Sequence, residues 1–300
     1  MQDNDDDPFD DTISAEQSVA QLVQLLTLER HDENSFTGRR KIGGKGRIFG
    51  GQAVAQALAA AQATVPAGRD AHSLHAYFLR GGDEDFPVDY AVARDFDGRS
   101  FSNRRVIASQ NGKPILNLTA SFHKDEQGLE HQLPMPEVQQ PEDMLAEADY
   151  YRLYTGAEPP RIALLHKSRG YEVRLPAGKP GDGSPPEPSH MWFRTPAPLP
   201  DDPAMHRLVL AYLSDYGLLG AASIPHRVVW RSGEMVGASL DHAVWFHKEV
   251  RADQWMLYVL DSPWAGNALG FSRGRFYSHD GRLVASTAQE GLMRVKQPAA

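Results

Sequence analysis

The sequence predicts an α+β protein made of two tandem copies of one unit, each an antiparallel β-sheet wrapped around a central α-helix. Three observations carry that expectation: a long apolar helix pattern occurs twice, a run of strand patterns follows each one, and the two runs align around matching hairpin turns.

Taken in chain order, the opening MQDNDDDPFDD has almost no apolar content, and residues 1–13 are expected to form a solvated, disordered acidic tail. A metal site at Asp5, Asp6 and Asp7 is the competing reading of that stretch. The first helix is expected from about Gly51 to Thr64, where Val54, Ala57, Leu58 and Ala61 recur at helical spacing in an Ala-rich segment that lets another element approach closely. Strand patterns follow in HSLHAYFLR (from His72), VDYAVARDF (from Val88) and SFSNRRVIASQNGKPILNLTASFH (from Ser100), the last broken by the hairpin signal Asn111-Gly112. The second helix is expected from about Met205 to Leu219, with Leu208, Ala211, Tyr212, Asp215 and Leu219 on one face. VGASLDHAVWFH, WMLYVLDSP and GFSRGRFYSHDGRLVASTAQEGLMR then read as strands, with Asp280-Gly281 as the second hairpin signal.

Laying Asn111-Gly112 on Asp280-Gly281 aligns QNGKPILNLTASF with HDGRLVASTAQEG and brings HAYFL near HAVWF. The stretch LPAGKPGDGSPPEPS, Leu175 to Ser189, is too rich in Pro and Gly to be a regular element and is expected to link the copies. The expected division is therefore a first unit over 14–125, a connecting segment over 126–189 and a second unit over 190–300 that carries the chemistry.

Composition narrows the function. A formal charge of -8 and a pI near 5.8 disfavour a nucleic-acid surface, which needs a clustered cationic excess. With no cysteine, disulfides, thiolate zinc sites and a cysteine nucleophile are excluded. The amino terminus lacks a cationic and then apolar leader, no stretch reaches the ~18 apolar residues of a membrane span, and the final PAA matches no peroxisomal address. A cytoplasmic protein without a membrane span is expected.

Asp215 is the most informative residue, because its helical position places a carboxylate on an apolar face, where desolvation is costly unless the group has partners or a purpose. A structural, capping or paired aspartate is the competing reading. The repeat favours a site: the counterpart of Asp215 in the first helix is Ala61, and on the inward face of the last strand Gln289 stands where the first copy has Ala120, on the face Leu116, Leu118, Ala120 and Phe122. Ser239 lies on a strand with Asp241, Ala243 and Trp245, opposite Leu240, His242, Val244 and Phe246; which face meets the helix stays open. His242 and His247 fall on opposite faces and read as structural rather than as a metal pair, and no histidine is expected on the face of Asp215. Gly270-Phe271-Ser272-Arg273-Gly274 matches the G-x-S-x-G pattern but runs into a strand hairpin, whereas a nucleophile elbow needs a strand, a tight turn and a helix. The glycines of GGKGRIFGG, Gly43 to Gly51, miss the phosphate-loop and dinucleotide spacings, yet Gly50 and Gly51 would let a ligand approach the amides of a helix start; a tight chain entry with no ligand is the alternative.

RIFGGQAVAQAL (from Arg47), HSLHAYFLRGGD (from His72), FSNRRVIASQNGKPILNLTASF (from Phe101), SLDHAVWFH (from Ser239) and RGRFYSHDGRLVASTAQEGLMR (from Arg273) together resemble the acyl-CoA thioesterase II family, over most of the chain outside tail and linker. The resemblance implies a tandem (double) hotdog fold and hydrolysis of acyl-CoA to free fatty acid and coenzyme A, with no cofactor and no metal. It also implies the catalytic set: Asp215 in YLSDYGLL as base for a water, with Ser239 in SLDH and Gln289 in STAQEG holding that water. A backbone amide would polarise the thioester, and Arg104, Arg105, Arg273 and Arg275 are candidates for the coenzyme A phosphates. A homo-oligomer, dimer or tetramer, is implied as well. A hotdog-type enoyl-CoA hydratase and a non-catalytic acyl-CoA binding protein are the rival functions.

Overall fold

The computed structural model describes residues 13–41, 45–155, 169–176, 189–226 and 235–296. Nearly all of the acidic tail, and all of the Pro/Gly-rich run except its ends, lie outside these residues. Helix α1 (Ala15–Leu26) opens the described chain. Ser14 caps it in a reciprocal capping box with Gln17, and Val19, Leu22, Leu25 and Leu26 are buried on its inner face. The sequence reading did not anticipate this helix, although Ser-x-x-Gln before an apolar period is its signature.

Helix α2 (Gly50–Gln62) follows at the expected place. Its alanines are buried almost all round, which fits a helix enclosed by a sheet on one side and by other helices on the other. The strands β1 (Glu29–Arg30), β2 (Ser35–Gly38), β3 (Asp70–Phe78), β4 (Val88–Asp97), β5 (Phe101–Gln110) and β6 (Lys113–His123) are antiparallel neighbours in the order β1-β2-β4-β5-β6-β3. Asn111 and Gly112 turn β5 into β6 with φ of 50° and 72°, the left-handed pair that a two-residue hairpin requires.

Beyond β6 the chain runs without regular structure through 124–140. It then forms β7 (Leu145–Ala146), α3 (Glu147–Thr155), β8 (Glu172–Leu175) and β9 (His190–Arg194). Helix α4 (Pro203–Leu213) and a short α5 (Leu218–Ala221) precede β10 (Met235–Ser239), β11 (Asp241–Phe246), β12 (Met256–Gly266), β13 (Leu269–Ser278) and β14 (Leu283–Val295). These strands continue the same sheet in the order β11-β14-β13-β12-β9-β8-β7, with β10 also on β14. The halves join where β3 pairs antiparallel with β11, Leu74 opposite Val244 and Ala76 opposite His242. The repeated HAYFL and HAVWF are thus central strands lying side by side, and α2 packs against α4.

Two expectations are corrected. Strands β8 and β9 pair with each other, Val173 opposite Phe193, so the Pro/Gly-rich run joins neighbouring strands of the second half rather than linking the halves. The passage between halves is 124–140, held on the second half by Gln132 Nε2 donating to Gly281 O, by Trp192 Nε1 donating to Gln139 O and by a Lys248–Glu130 ion pair. The second helix also stops at Leu213, not Leu219: Ser214 closes it, Gly217 takes φ of 82°, and α5 restarts in a new direction. Asp215 therefore sits in the turn between two helices. Among the described residues no single helix is long and apolar enough to cross a membrane.

Candidate active site

The turn after α4 aims Asp215 at the start of α2. The Gly51 N–H donates to Asp215 Oδ2 at 3.0 Å, so a carboxylate of the second half rests on the positive end of the first half's helix. Two glycines make that approach possible. A Cβ at Gly50 would lie 2.6 Å from Asp215 Oδ2, and one at Gly51 would overlap the carbonyl oxygen of Tyr212 on α4. The other carboxylate oxygen, Oδ1, is buried and accepts no hydrogen bond among the described residues.

Strand β14 contributes Gln289 from the expected inward face, where Ala285, Thr287, Gln289 and Gly291 are all buried. Its Nε2 donates to Ser239 Oγ at 2.9 Å. Its Oε1 stands 2.7 Å from His242 Nδ1, and His242 Nε2 stands 2.7 Å from Ser214 Oγ. Ser214 Oγ also donates to Ala211 O at 2.9 Å, so His242 bridges a hydroxyl and a side-chain amide, each of which can donate or accept.

His242, expected from sequence to be an ordinary structural histidine, hydrogen-bonds Gln289. It reaches Gln289 on the same side as Ser239 because the ladder slips by one residue, from Ser239 opposite Gly291 to Ala243 opposite Ala288. That β-bulge places two residues three apart on one face.

Burial pushes the Asp215 carboxyl above the ordinary aspartate range, opposed by His242, by the Gly51 amide and by the Gln289 and Ser239 side chains. Burial likewise pushes the His242 pKa down, opposed by the charge of Asp215 and by Gln289. Tyr258 braces the turn from below, its Oη donating to Ser214 O at 2.8 Å.

A cavity of about 360 Å³ opens on this group, lined by Gly50, Phe78 and Arg80 of the first half and by Asp215, Ser239 and Leu240 of the second, with Arg47 also on its wall. Gln289 and His242 lie behind Ser239, 2% and 0% exposed. The arrangement can orient a small nucleophile on a carboxylate of raised pKa, beside helix amides that attract negative charge.

The cationic candidates fare differently. Arg104 is fully buried and committed: Nε donates to Thr64 Oγ1, and Nη2 donates to Thr64 O and to both oxygens of Asp97, at 2.8 to 3.0 Å. Thr64 follows the far end of α2, roughly 20 Å along the helix from Gly50, so Arg104 belongs to the scaffold and not to a phosphate site. Arg105 is exposed and paired with Asp95, and Arg273 and Arg275 pair with Asp261. Arg47 and Arg80 were not singled out from sequence, yet they line the cavity. Ser272 of the G-x-S-x-G match lies inside β13, buried and opposite Gln289, so no elbow exists there. Among the described residues no cluster of three or more His, Asp or Glu side chains is arranged to hold a metal.

The chain resembles known proteins over most of its length. Residues 40–123 match the acyl-CoA thioesterase N-terminal domain family and residues 166–292 the acyl-CoA thioesterase family. The chain is 42% identical to human acyl-coenzyme A thioesterase 8, over 92% of this chain and 89% of that protein. It is 37% identical to acyl-CoA thioesterase 2 of Haemophilus influenzae, over 92% and 98%. Among solved structures, the acyl-CoA thioesterase II TesB2 of Mycobacterium marinum superposes with a TM-score of 0.75 at 35% identity, covering 93% of this chain and 99% of that one. A hot dog fold protein of Alicyclobacillus acidocaldarius superposes with a TM-score of 0.72 at 22% identity, covering 93% and 98%, which speaks to the fold alone. On this identity and coverage, the chain belongs to the acyl-CoA thioesterase II family.

Proposed function

We propose that the protein hydrolyses acyl-CoA to a free fatty acid and coenzyme A by direct attack of water, in one site built where two fused hotdog units meet. The observation that carries this reading is the seating of Asp215 on the amino-terminal amides of α2, beside the Ser239–Gln289 pair. Each unit is read as one helix, α2 or α4, with its own part of the sheet; the second takes in β7 to β9 as well as the strands after α4.

In this mechanism Asp215 accepts a proton from water at Oδ1, the oxygen free of partners within the described chain, while Ser239 and Gln289 fix the water's position. The water oxygen adds to the thioester carbonyl carbon. Negative charge then develops on the carbonyl oxygen and is stabilised at the start of α2, where the N–H of the first helical residue, Gly50, has no intrahelical acceptor. Collapse of the tetrahedral intermediate breaks the C–S bond, and the departing thiolate takes up the proton held by Asp215. Arg47 and Arg80 on the cavity wall are the groups placed to meet the phosphates of coenzyme A.

A hydratase would need a histidine facing the substrate. His242 is fully buried, with both ring nitrogens engaged. The test is thiol release from a chain-length series of acyl-CoAs by the unaltered protein and by Asp215→Asn at matched folding. General-base loss is expected to lower kcat by about a hundred- to ten-thousandfold. Full activity in Asp215→Asn would overturn the mechanism, and acyl-CoA binding without thiol release by the unaltered protein would turn the reading to a binding protein.

A further inference from the structure

The chain contains its own comparison for the pair His242 and Gln289. With Asn111-Gly112 laid on Asp280-Gly281, Gln289 on β14 corresponds to Ala120 on β6. The residue opposite Ala120 in the ladder is Leu74, which takes the place His242 holds beside Gln289. The ladder slip is also present in the first half, between Ala71 and Ser73, so the backbones match. Leu74 and Ala120 are both fully buried, as His242 is. The half with the glutamine thus has a histidine behind it, and the half with alanine has a leucine.

His242 bridges two parts of the site. One ring nitrogen stands 2.7 Å from Ser214 Oγ, whose place is set by the last turn of α4, and the other stands 2.7 Å from Gln289 Oε1. Ser214 also donates to Ala211 O, so the ring meets a hydroxyl and an amide that can each donate or accept, and the bridge holds in either tautomer. Gln289 in turn bonds Ser239 Oγ at 2.9 Å. A leucine in place of His242 would leave the buried Gln289 oxygen without this partner.

We propose that His242 is a positioning residue for the reaction: it holds the Gln289 side chain against Ser239 and, through Ser214, ties it to the turn carrying Asp215. The proposal rests on the hydrolytic reading of the site and adds a residue that touches neither water nor substrate.

The test is a double-mutant cycle on the full chain, with kcat and KM for one acyl-CoA and a thermal melt for every variant. His242→Leu is expected to lower kcat by about 10- to 100-fold, the scale of a small misplacement in a site, with KM within about threefold. His242→Asn, whose side-chain amide can take the place of Nδ1 as donor or acceptor, is expected to recover most of that loss. In a Gln289→Ala background, His242→Leu is expected to cost less than about a further threefold, because the side chain it orients is gone. That double variant reproduces the Leu74–Ala120 packing of the first half, so it is expected to fold. Losses that multiply independently, a His242→Asn variant as impaired as His242→Leu while melting like the unaltered protein, or a loss carried by KM would each overturn the proposal. If Asp215→Asn retained full activity, the reading of the site itself would fail; a collapse in Asp215→Asn together with independent His242 and Gln289 losses would fail this proposal alone.

Discussion

Gly50→Ala probes how finely the carboxylate is placed. The added Cβ would stand 2.6 Å from Asp215 Oδ2 and 3.0 Å from the edge of the Phe78 ring, against an ordinary contact of 3.4 Å or more. The carboxyl must therefore retreat by about 0.8 Å, which stretches the 3.0 Å bond from the Gly51 N–H past useful length. A misplacement near 1 Å in a reacting group costs up to about a hundredfold in rate, so kcat is expected to fall by about 30- to 100-fold. Stability should change little: alanine gains up to about 1 kcal/mol over glycine in a helix, and crowding at a side-chain tip offsets a similar amount. Gly51→Ala makes the contrast, because its Cβ meets the Tyr212 backbone, which cannot move without α4. That variant is expected to lose fold and activity together. Thiol release beside a thermal melt separates the cases, and a Gly50→Ala enzyme with kcat within threefold of the unaltered protein would refute the claim that this approach sets the base.

Burial raises the Asp215 pKa above its reference of 3.8, so between that value and the folded value the native state holds a proton that the unfolded chain has released. Stability therefore falls as pH rises through that window, and the charged side chain is a net cost at neutral pH. Asp215→Asn is expected to raise Tm at pH 7, with the gain shrinking toward pH ~4, and the acid limb of kcat/KM should lie above the usual carboxylate range; a melt that is lowered at pH 7 would contradict this. For the arginines the expected effects are opposite. Arg104→Ala removes a fully buried side chain with its bonds to Thr64 and Asp97, although Asp97 keeps Ser102 and Arg69, and should cost about 2 kcal/mol in denaturant unfolding with KM unchanged, whereas Arg47→Ala or Arg80→Ala should raise KM several-fold, less so at high salt, with stability unchanged.

Local chemistry made much of the fold legible. Asn111-Gly112 turns as a two-residue I′ hairpin, and the Asp280-Gly281 turn closes with the Ser278 N–H donating to Arg282 O and Gly281 at φ of 85°. Period-two patterning placed Gln289 on the buried face of β14. The same patterning was available for Arg104, which alternates with Ser102, Val106 and Ala108 on the buried face of β5, but its charge alone made it a candidate for the coenzyme A phosphates. Asp215 was found by a helical period that runs past the true helix end. Gly217 breaks the helix, and the carboxylate is buried because the turn folds back on α2. Composition showed that Leu175 to Ser189 is irregular, but it carries no information on which strands such a stretch joins; that is decided by the pairing of β8 with β9.

His242 escaped the sequence for a more specific reason. Matching HAYFL to HAVWF by letters equates His75 with His242, yet His75 faces solvent against Trp245 and His242 is fully buried. Counting faces from Ser239 by strict alternation fails as well, since the bulge inserts one residue before Ala243. A one-residue slip reverses every facing assignment beyond it, and nothing in SLDHAVWF marks where the extra residue falls. The likeness of the two halves hid it further: because the first half carries the same slip between Ala71 and Ser73, comparing them shows no insertion. What the comparison can show, once the ladders are known, is that two inward positions changed character together, Leu74 to His242 and Ala120 to Gln289. Two neighbours that differ together, as hydrogen-bonding partners in the half that also holds the buried carboxylate, are the reason for proposing a positioning role for the histidine.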